Sequence, residues 1–397
     1  MLKKINRQTI IACLICSGIV GIISVGATSL IYSSDVTYDN TSSGLSSTTV
    51  QGALDELYEK AKNAPSCDSD GNCTVTCPDG KSFISTDTGY KCSSDPTAED
   101  TIKKLNVTTV TSGDGLYADT VTSGRYFYRG ANVNNYITFN NETWRIMSIE
   151  SDGTLKIVRN EQISGTYQWD AAGNRSSSTS TYCTKASSYG CNAWAATSNL
   201  VGTPSSFTQY YPKGNTSDST NYTGTVTSDS TMATYLNGTY YNSLTSDAKS
   251  KVIKGTFNVS TPGYYTDTET LETDAEQEKQ YQWKGYVALY TVTELLRAST
   301  TSGCSSLSAG YNSKNTDYCN SNNWLWPTTF NSSNFEWTLS PYVRSTCYLV
   351  WYVSSSAYVN NCSANLARGV RPVLHLSSNM TLSGSGTSSE PYTIKNS

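Results

Sequence analysis

Phe335 to Leu376 reads FEWTLSPYVRSTCYLVWYVSSSAYVNNCSANLARGVRPVLHL, and the reading of this stretch decides the fold class. It holds three short apolar runs: Trp337 to Leu339, Tyr348 to Val353 and Val370 to Leu376. Tyrosine, serine and asparagine fill the spaces between them. Tryptophan and β-branched residues alternating with small polar ones suit a half-buried strand. Gly369 lets the chain turn into the last run, and Pro372 suits the start or edge of a strand. The expected result is an antiparallel unit with an aromatic core and a polar, tyrosine-rich outer face. Such a face reads as a binding surface.

A second strand signal lies upstream. Tyr136 to Phe139 and Thr143 to Ile149 are apolar runs joined by Asn140-Asn141, and Ser151-Asp152-Gly153 turns the chain into Leu155 to Arg159. Trp144, Ile146, Ile149, Leu155 and Ile157 are the expected start of the core. Helical patterns follow at Met232 to Leu244, with a flaw at Gly238, and at Ser246 to Lys251. Val252 to Val259 and Tyr286 to Tyr290 read as strands. Thr291 or Thr293 caps a helix through Leu295, Leu296 and Ala298. Gly165 to Thr231 reads as long surface loops, residues 266–280 as an acidic solvated loop, and Tyr392 to Ile394 as a closing strand. Strands and helices mixed in this way predict an α+β domain with an antiparallel sheet core over residues 124–397.

Four segments precede that domain. Residues 1–32 carry Lys3, Lys4 and Arg7 before an apolar run from Ile10 to Tyr32. At ~1.5 Å per residue this run makes a helix of roughly 34 Å, enough to cross a bilayer. It reads as a transmembrane signal-anchor, or as a signal peptide cleaved near Val25-Gly26-Ala27, with the rest of the chain exported in either case. Residues 33–65 form a stalk. Ser47 to Thr49 cap a helix whose face carries Val50, Ala53, Leu54, Leu57 and Tyr58 at helical spacing. A lone amphipathic helix of this length is marginal in water, so its stripe needs a partner, and self-association through residues 47–64 is one candidate. Residues 66–96 are a Cys-rich module, and residues 97–123 a linker with a short helix.

Twelve cysteines bear on compartment. Outside the apolar segment they fall in neighbouring groups: Cys67, Cys73, Cys77 and Cys92; Cys183 with Cys191; Cys304 with Cys319; Cys347 with Cys362. Such grouping suggests disulfides and an oxidising compartment, with three connectivities open to the first group. Net charge is −4 and the isoelectric point about 5.2, so there is no basic footprint for nucleic acid. Tyrosine at 29 against phenylalanine at 7 favours wet, half-exposed strands or a dedicated aromatic face.

Catalytic and metal chemistry finds little support. His375 is the only histidine, set in a Val-Leu-His-Leu strand, which leaves a Ser-His-Asp or Cys-His site without a good placement. Glu336, before Trp337, is the one carboxylate in an aromatic strand context. An enzyme would need a deep pocket with converging carboxylates, and the sequence shows none. No Gly-rich phosphate loop follows a strand, and no cofactor is expected. Asp68 and Asp70 resemble the start of a calcium loop, but Cys73 stands where glycine is usual, and a turn between bridged cysteines is the simpler reading. Cys73 and Cys77 have no nearby histidine to complete a zinc site.

The order of pieces carries a resemblance. A Trp-bearing hairpin, a helical section, Gly285-Tyr286-Val287-Ala288-Leu289-Tyr290 with a helix after it, Trp337-Thr338-Leu339, an Asn/Ser-rich aromatic stretch and Gly369-Val370-Arg371-Pro372 follow one another. This resembles bacterial surface domains with a C-type-lectin-like fold, the branch related to formylglycine-generating enzymes and to the variable proteins of diversity-generating retroelements. The resemblance implies a ligand-binding face between Tyr342 and Arg368, formed by Tyr342, Arg344, Tyr348, Trp351, Tyr352, Tyr358, Asn360 and Asn361. It further implies an exported cell-surface binding or adhesion protein whose ligand is an extracellular protein or glycan. The alternative is a fibre or pilus-like subunit assembled through the N-terminal helices.

Overall fold

Two adjacent asparagines set the turn between Tyr136–Phe139 and Glu142–Ile149. In the computed structural model Asn140 and Asn141 both take positive φ, 53° and 60°, the conformation of a two-residue hairpin turn that asparagine tolerates. The structure describes residues 46–62, four short strands between 66 and 93, and residues 96–395 except 176–179, 184, 210–221, 263–269, 312–318, 331–332 and 344–346. Side chains from 57 to 95, and at 209 and 222, lie outside the description. So do the apolar N-terminal segment, Arg344, Asp68 and Asp70, and the side chains of Cys67, Cys73, Cys77 and Cys92. No helix among the described residues is long and apolar enough to cross a membrane.

The chain divides into Met1–Ser93 and Ser94–Ser397. In the first unit, α1 (Val50–Lys62) begins where Thr49 Oγ1 accepts from the Gly52 amide at 3.1 Å. Two short hairpins follow, Ser66–Cys67 with Cys73–Thr74 and Ser82–Thr86 with Gly89–Ser93.

The second unit is α+β. Besides two short ribbons, Tyr167–Gln168 with Ala367–Arg368 and Phe207–Gln209 with Tyr222–Gly224, its strands are β1 (Gly115–Ala118), β2 (Tyr126–Arg129), β3 (Tyr136–Phe139), β4 (Glu142–Ile149), β5 (Leu155–Arg159), β6 (Val252–Ile253), β7 (Gly255–Asn258), β8 (Gln282–Gly285) and β9 (Val287–Ala288). There follow β10 (Phe335–Tyr342), β11 (Leu349–Ser354), β12 (Val359–Ser363), β13 (Val373–Leu376), β14 (Thr381–Ser383) and β15 (Tyr392–Lys395). The main sheet runs β6-β13-β5-β4-β3-β15-β14, with β9 on β13 and the β1–β2 hairpin on the end of β4. Only β15 on β3 is parallel, so the closing strand returns to the opening hairpin. A second sheet, β10-β11-β12, and a β7–β8 ribbon stand apart.

The hairpin core forms as its pattern demands. Trp144, Ile146, Ile149, Leu155 and Ile157 are all buried. The C-terminal stretch divides differently from the single unit expected. Its first two runs pair as β10 and β11, but the third leaves to become β13, deep in the main sheet against β5, β6 and β9. All four residues of β13 are buried, which fits a run without polar alternation.

Three expectations fail. Residues 97–123 belong to the folded unit rather than to a linker. A reciprocal Thr97–Asp100 capping box starts α2 (Ala98–Lys104), Thr101 Oγ1 donates to the Gly153 carbonyl at 3.0 Å, and the Tyr392 hydroxyl donates to Leu105 O at 3.0 Å. Gly153 has φ +81°, and a Cβ there would stand 2.5 Å from Pro96 O, so this contact needs glycine. The polar stretch from Gly165 to Thr231 buries Trp169, Tyr182, Trp194 and Phe207, and encloses an Arg175–Asp170 ion pair at 3.0 Å. The acidic stretch contains α3 (Leu271–Glu278), which buries Leu271, Asp274, Ala275 and Glu278 on one face. Composition hid these residues because partners such as Thr338 O for Trp169 Nε1, at 3.1 Å, and Ser340 Oγ for Glu278, at 2.5 Å, lie far along the chain.

The helical pattern from Met232 to Leu244 forms, with a π-helical turn at Leu236–Tyr240 around the Gly238 flaw. Thr291, rather than Thr293, caps α4 (Val292–Arg297).

Candidate functional site

β11 decides the fate of the expected aromatic face. Successive side chains of a strand point to opposite faces. Trp351 points to one side, edge-on to Tyr311 and Tyr342 at 5.7 and 5.1 Å, and is 1% exposed. Tyr352 points to the other, edge-on to Phe335 at 5.2 Å with the Arg368 guanidinium also 5.2 Å from its ring, and is 8% exposed. Both faces of β11 are covered, so Tyr342, Trp351 and Tyr352 are core side chains and do not form a displayed surface. Tyr348, Tyr358, Asn360 and Asn361 are half-buried.

What remains outside is a smaller patch. Tyr348 stacks on Tyr189 with ring centroids 4.5 Å apart and planes 20° from parallel. Tyr189 is 42% exposed and Leu366 43%. Asn365 joins the two segments, its amide donating to Tyr189 O at 3.1 Å and its side chain to Ser188 O at 3.1 Å. Tyr189 and Leu366 carry no sequence signal, because their proximity comes from chain segments far apart in sequence.

Of the four cysteine groups, Cys183–Cys191 and Cys304–Cys319 are disulfides. The Cys347–Cys362 bridge does not form. The β11–β12 register places Cys362 opposite Val350, while Cys347 lies before β11 with its carbonyl 3.0 Å from Cys183 Sγ. Burial pushes the Cys362 thiol up, against the nearby Arg368.

The two motifs behind the resemblance meet at a buried ion pair. Glu336 accepts from Arg371 Nε at 2.7 Å, from Gln162 Nε2 at 3.0 Å and from the Tyr290 hydroxyl, while Arg371 Nη2 donates to Leu325 O at 2.6 Å. Glu336 therefore ties β10 to the turn before β13, a structural role. His375 is packed edge-on against Phe257 at 5.0 Å, and burial lowers its pKa to about 4, so it is neutral at pH 7.

A second feature was invisible in the sequence. A cavity of about 280 Å³ opens between the main sheet, the β7–β8 ribbon and the α3–α4 helices. Carboxylates converge on it. Asp119 binds Arg125 Nη1 and Arg297 Nη2, each at 2.7 Å. Arg125 Nε reaches Glu150 at 3.1 Å, and its Nη2 reaches Glu294 Oε1 at 3.1 Å. Local structure positions Glu294: its Oε2 accepts the Thr291 amide in the capping box, which turns Oε1 toward Arg125 and Lys156. Burial alone would raise these acids. The guanidinium of Arg125, aided by Arg297 at Asp119, holds Asp119 and Glu150 at about 2, and Lys156 with Arg125 keeps Glu294 low.

Glu278 differs. Burial pushes it up to about 7, against hydrogen bonds from Ser340 Oγ at 2.5 Å and from Thr293. One raised carboxyl therefore stands among three held ionised.

Comparison with known proteins adds a segment and no activity. Residues 207–378 match a family described as a domain of unknown function, DUF6273. No curated protein and no solved structure matches the chain. The matched segment contains α3, α4 and β6 to β13, but not β5, on which β13 pairs, nor Asp119, Arg125, Glu150 and Lys156 of the cavity. The folded unit is wider than the match.

Proposed function

We propose that the chain is an exported, surface-displayed binding protein whose second unit engages an extracellular protein or glycan. The observation that carries this reading is the stack of exposed Tyr189 on half-buried Tyr348, with exposed Leu366 following Asn365, whose amide binds the Tyr189 carbonyl. Rigid tyrosines offer large amphipathic contact area at low entropic cost, and exposed apolar groups gathered in one patch favour a binding role over scattered surface noise. The two disulfides support an oxidising compartment. Binding is preferred to catalysis because Asp119, Glu150 and Glu294 are already spent on Arg125, Arg297 and Lys156. The N-terminal segment would hold the chain at a membrane, and α1 supports a stalk able to self-associate.

The test is a glycan and cell-surface binding screen with the full chain beside Tyr189→Ala, Leu366→Ser and Trp351→Ala. The first two are expected to keep the native circular-dichroism spectrum and lose binding, whereas Trp351→Ala loses about 3–5 kcal/mol of stability through the cavity left in the core. Undiminished binding by both folded surface variants would remove the patch as the site.

A further inference from the structure

We propose that the charged cavity is a separate binding site for a small uncharged polyhydroxylated molecule, about one saccharide ring in size. The cavity, at about 280 Å³, lies near the lower bound of small-molecule sites and far above the roughly 30 Å³ share of one water. Its walls exclude an apolar occupant: Val121 and Ala275 are the only aliphatic residues among the seventeen that line it.

Its electrostatics disfavour an ion. Asp119, Glu150 and Glu294 balance Arg125, Lys156 and Arg297, Lys279 is paired with Glu276 at 3.0 Å, and the fourth carboxyl, Glu278, is held by Ser340 Oγ and Thr293. A charged ligand would have to compete with one of these pairs, at the cost of leaving its partner buried and uncompensated. A neutral ligand leaves every pair intact. Hydrogen-bonding capacity remains for it. Lys156 is 5% exposed, yet it gives one hydrogen bond, to Glu294, and has three N–H donors. On the β7–β8 ribbon Thr256 adds a hydroxyl, and the Gln282 and Asn258 amides, joined by Gln282 Nε2 donating to Asn258 Oδ1 at 2.9 Å, keep their other donors and acceptors for a ligand. A wall offering donors and acceptors side by side suits hydroxyls, which both give and accept.

The experiment is saturation-transfer NMR on the full chain with glucose, galactose, mannose, N-acetylglucosamine and myo-inositol, beside acetate, lactate and ammonium. At least one neutral polyol is expected to receive saturation. Thr256→Val, outside the ion pairs, should weaken it roughly five- to tenfold, the effect of one lost hydrogen bond, and Gln282→Leu at least as much, because it also releases the Asn258 amide it holds. Tyr189→Ala should leave it unchanged, which separates this site from the surface patch. No transfer to any polyol would overturn the proposal. So would transfer confined to the ions, or polyol binding indifferent to both ribbon variants while their spectra remain native.

Discussion

Glu278 is the residue whose titration the fold changes most usefully. Its pKa rises from an ordinary carboxyl value to about 7, mainly through burial, so the native state favours the protonated form. The stabilisation it brings is present below pH 4.5 and is lost as the pH rises through 7. Asp119 and Glu150 act with the opposite sign. Their carboxylates are held at about 2, so their contribution is full above pH 4.5 and is lost as the pH falls toward 2. Glu278→Gln keeps a neutral side chain at every pH. Thermal unfolding is expected to show its stability relative to the parent growing from pH 4.5 to 8, by up to on the order of 3 kcal/mol. An unchanged difference across that range would mean that Glu278 ionises freely. Glu336 stood out in the sequence without a role, and its partner supplies one. Its aromatic strand context was legible, but its partner Arg371 lies 35 positions away, and the ion pair makes it structural.

At the level of elements, most strands were legible from their own residues, but the partners of those that pair at a distance were not. β3, β4 and β5 are joined by short turns whose chemistry is written in Asn140-Asn141 and Gly153. β13 looked like a neighbour of β11 because it follows it closely, yet it pairs with β5. The cysteines mark the limit of local spacing, since Cys304–Cys319 and Cys347–Cys362 have the same separation and only the first pair is bridged. Cys304–Cys319 closes a local loop of separation 15. Its removal by Cys304→Ser with Cys319→Ser is expected to cost about 3 kcal/mol in denaturant unfolding, as loop-closure entropy returns to the unfolded chain. Cys347→Ser should cost far less than removal of a bridge, because no disulfide joins it to Cys362. An equal loss in both would contradict the observed pairing.

For the whole molecule, the family match and the folding unit do not coincide. Residues 207–378 hold β13 but exclude β5, β4 and β3, and the core runs without a break through both parts. A fragment of residues 207–378 is therefore expected to lack a cooperative thermal transition, and residues 94–397 to show one. A cooperative transition in the shorter fragment would place the folding boundary at the family boundary. The cavity leads to the same conclusion, since its cations Arg125 and Lys156 come from before the match and its Glu278 and Glu294 from within it.

Local sequence carried the α+β class, the Tyr136–Ile149 hairpin and its core, the helix that follows Tyr290 and the two bridges Cys183–Cys191 and Cys304–Cys319, though not their difference from Cys347 and Cys362. Each rests on periodicity, turn chemistry or short spacing, all of which are properties of neighbouring residues. Only the tertiary structure decided which tyrosines face water, where β13 pairs, that residues 97–123 pack into the domain, and that four carboxyl groups share one cavity. Those outcomes depend on which surfaces meet across more than a hundred residues of chain. Burial and charge pairing at such contacts have no signature in local sequence.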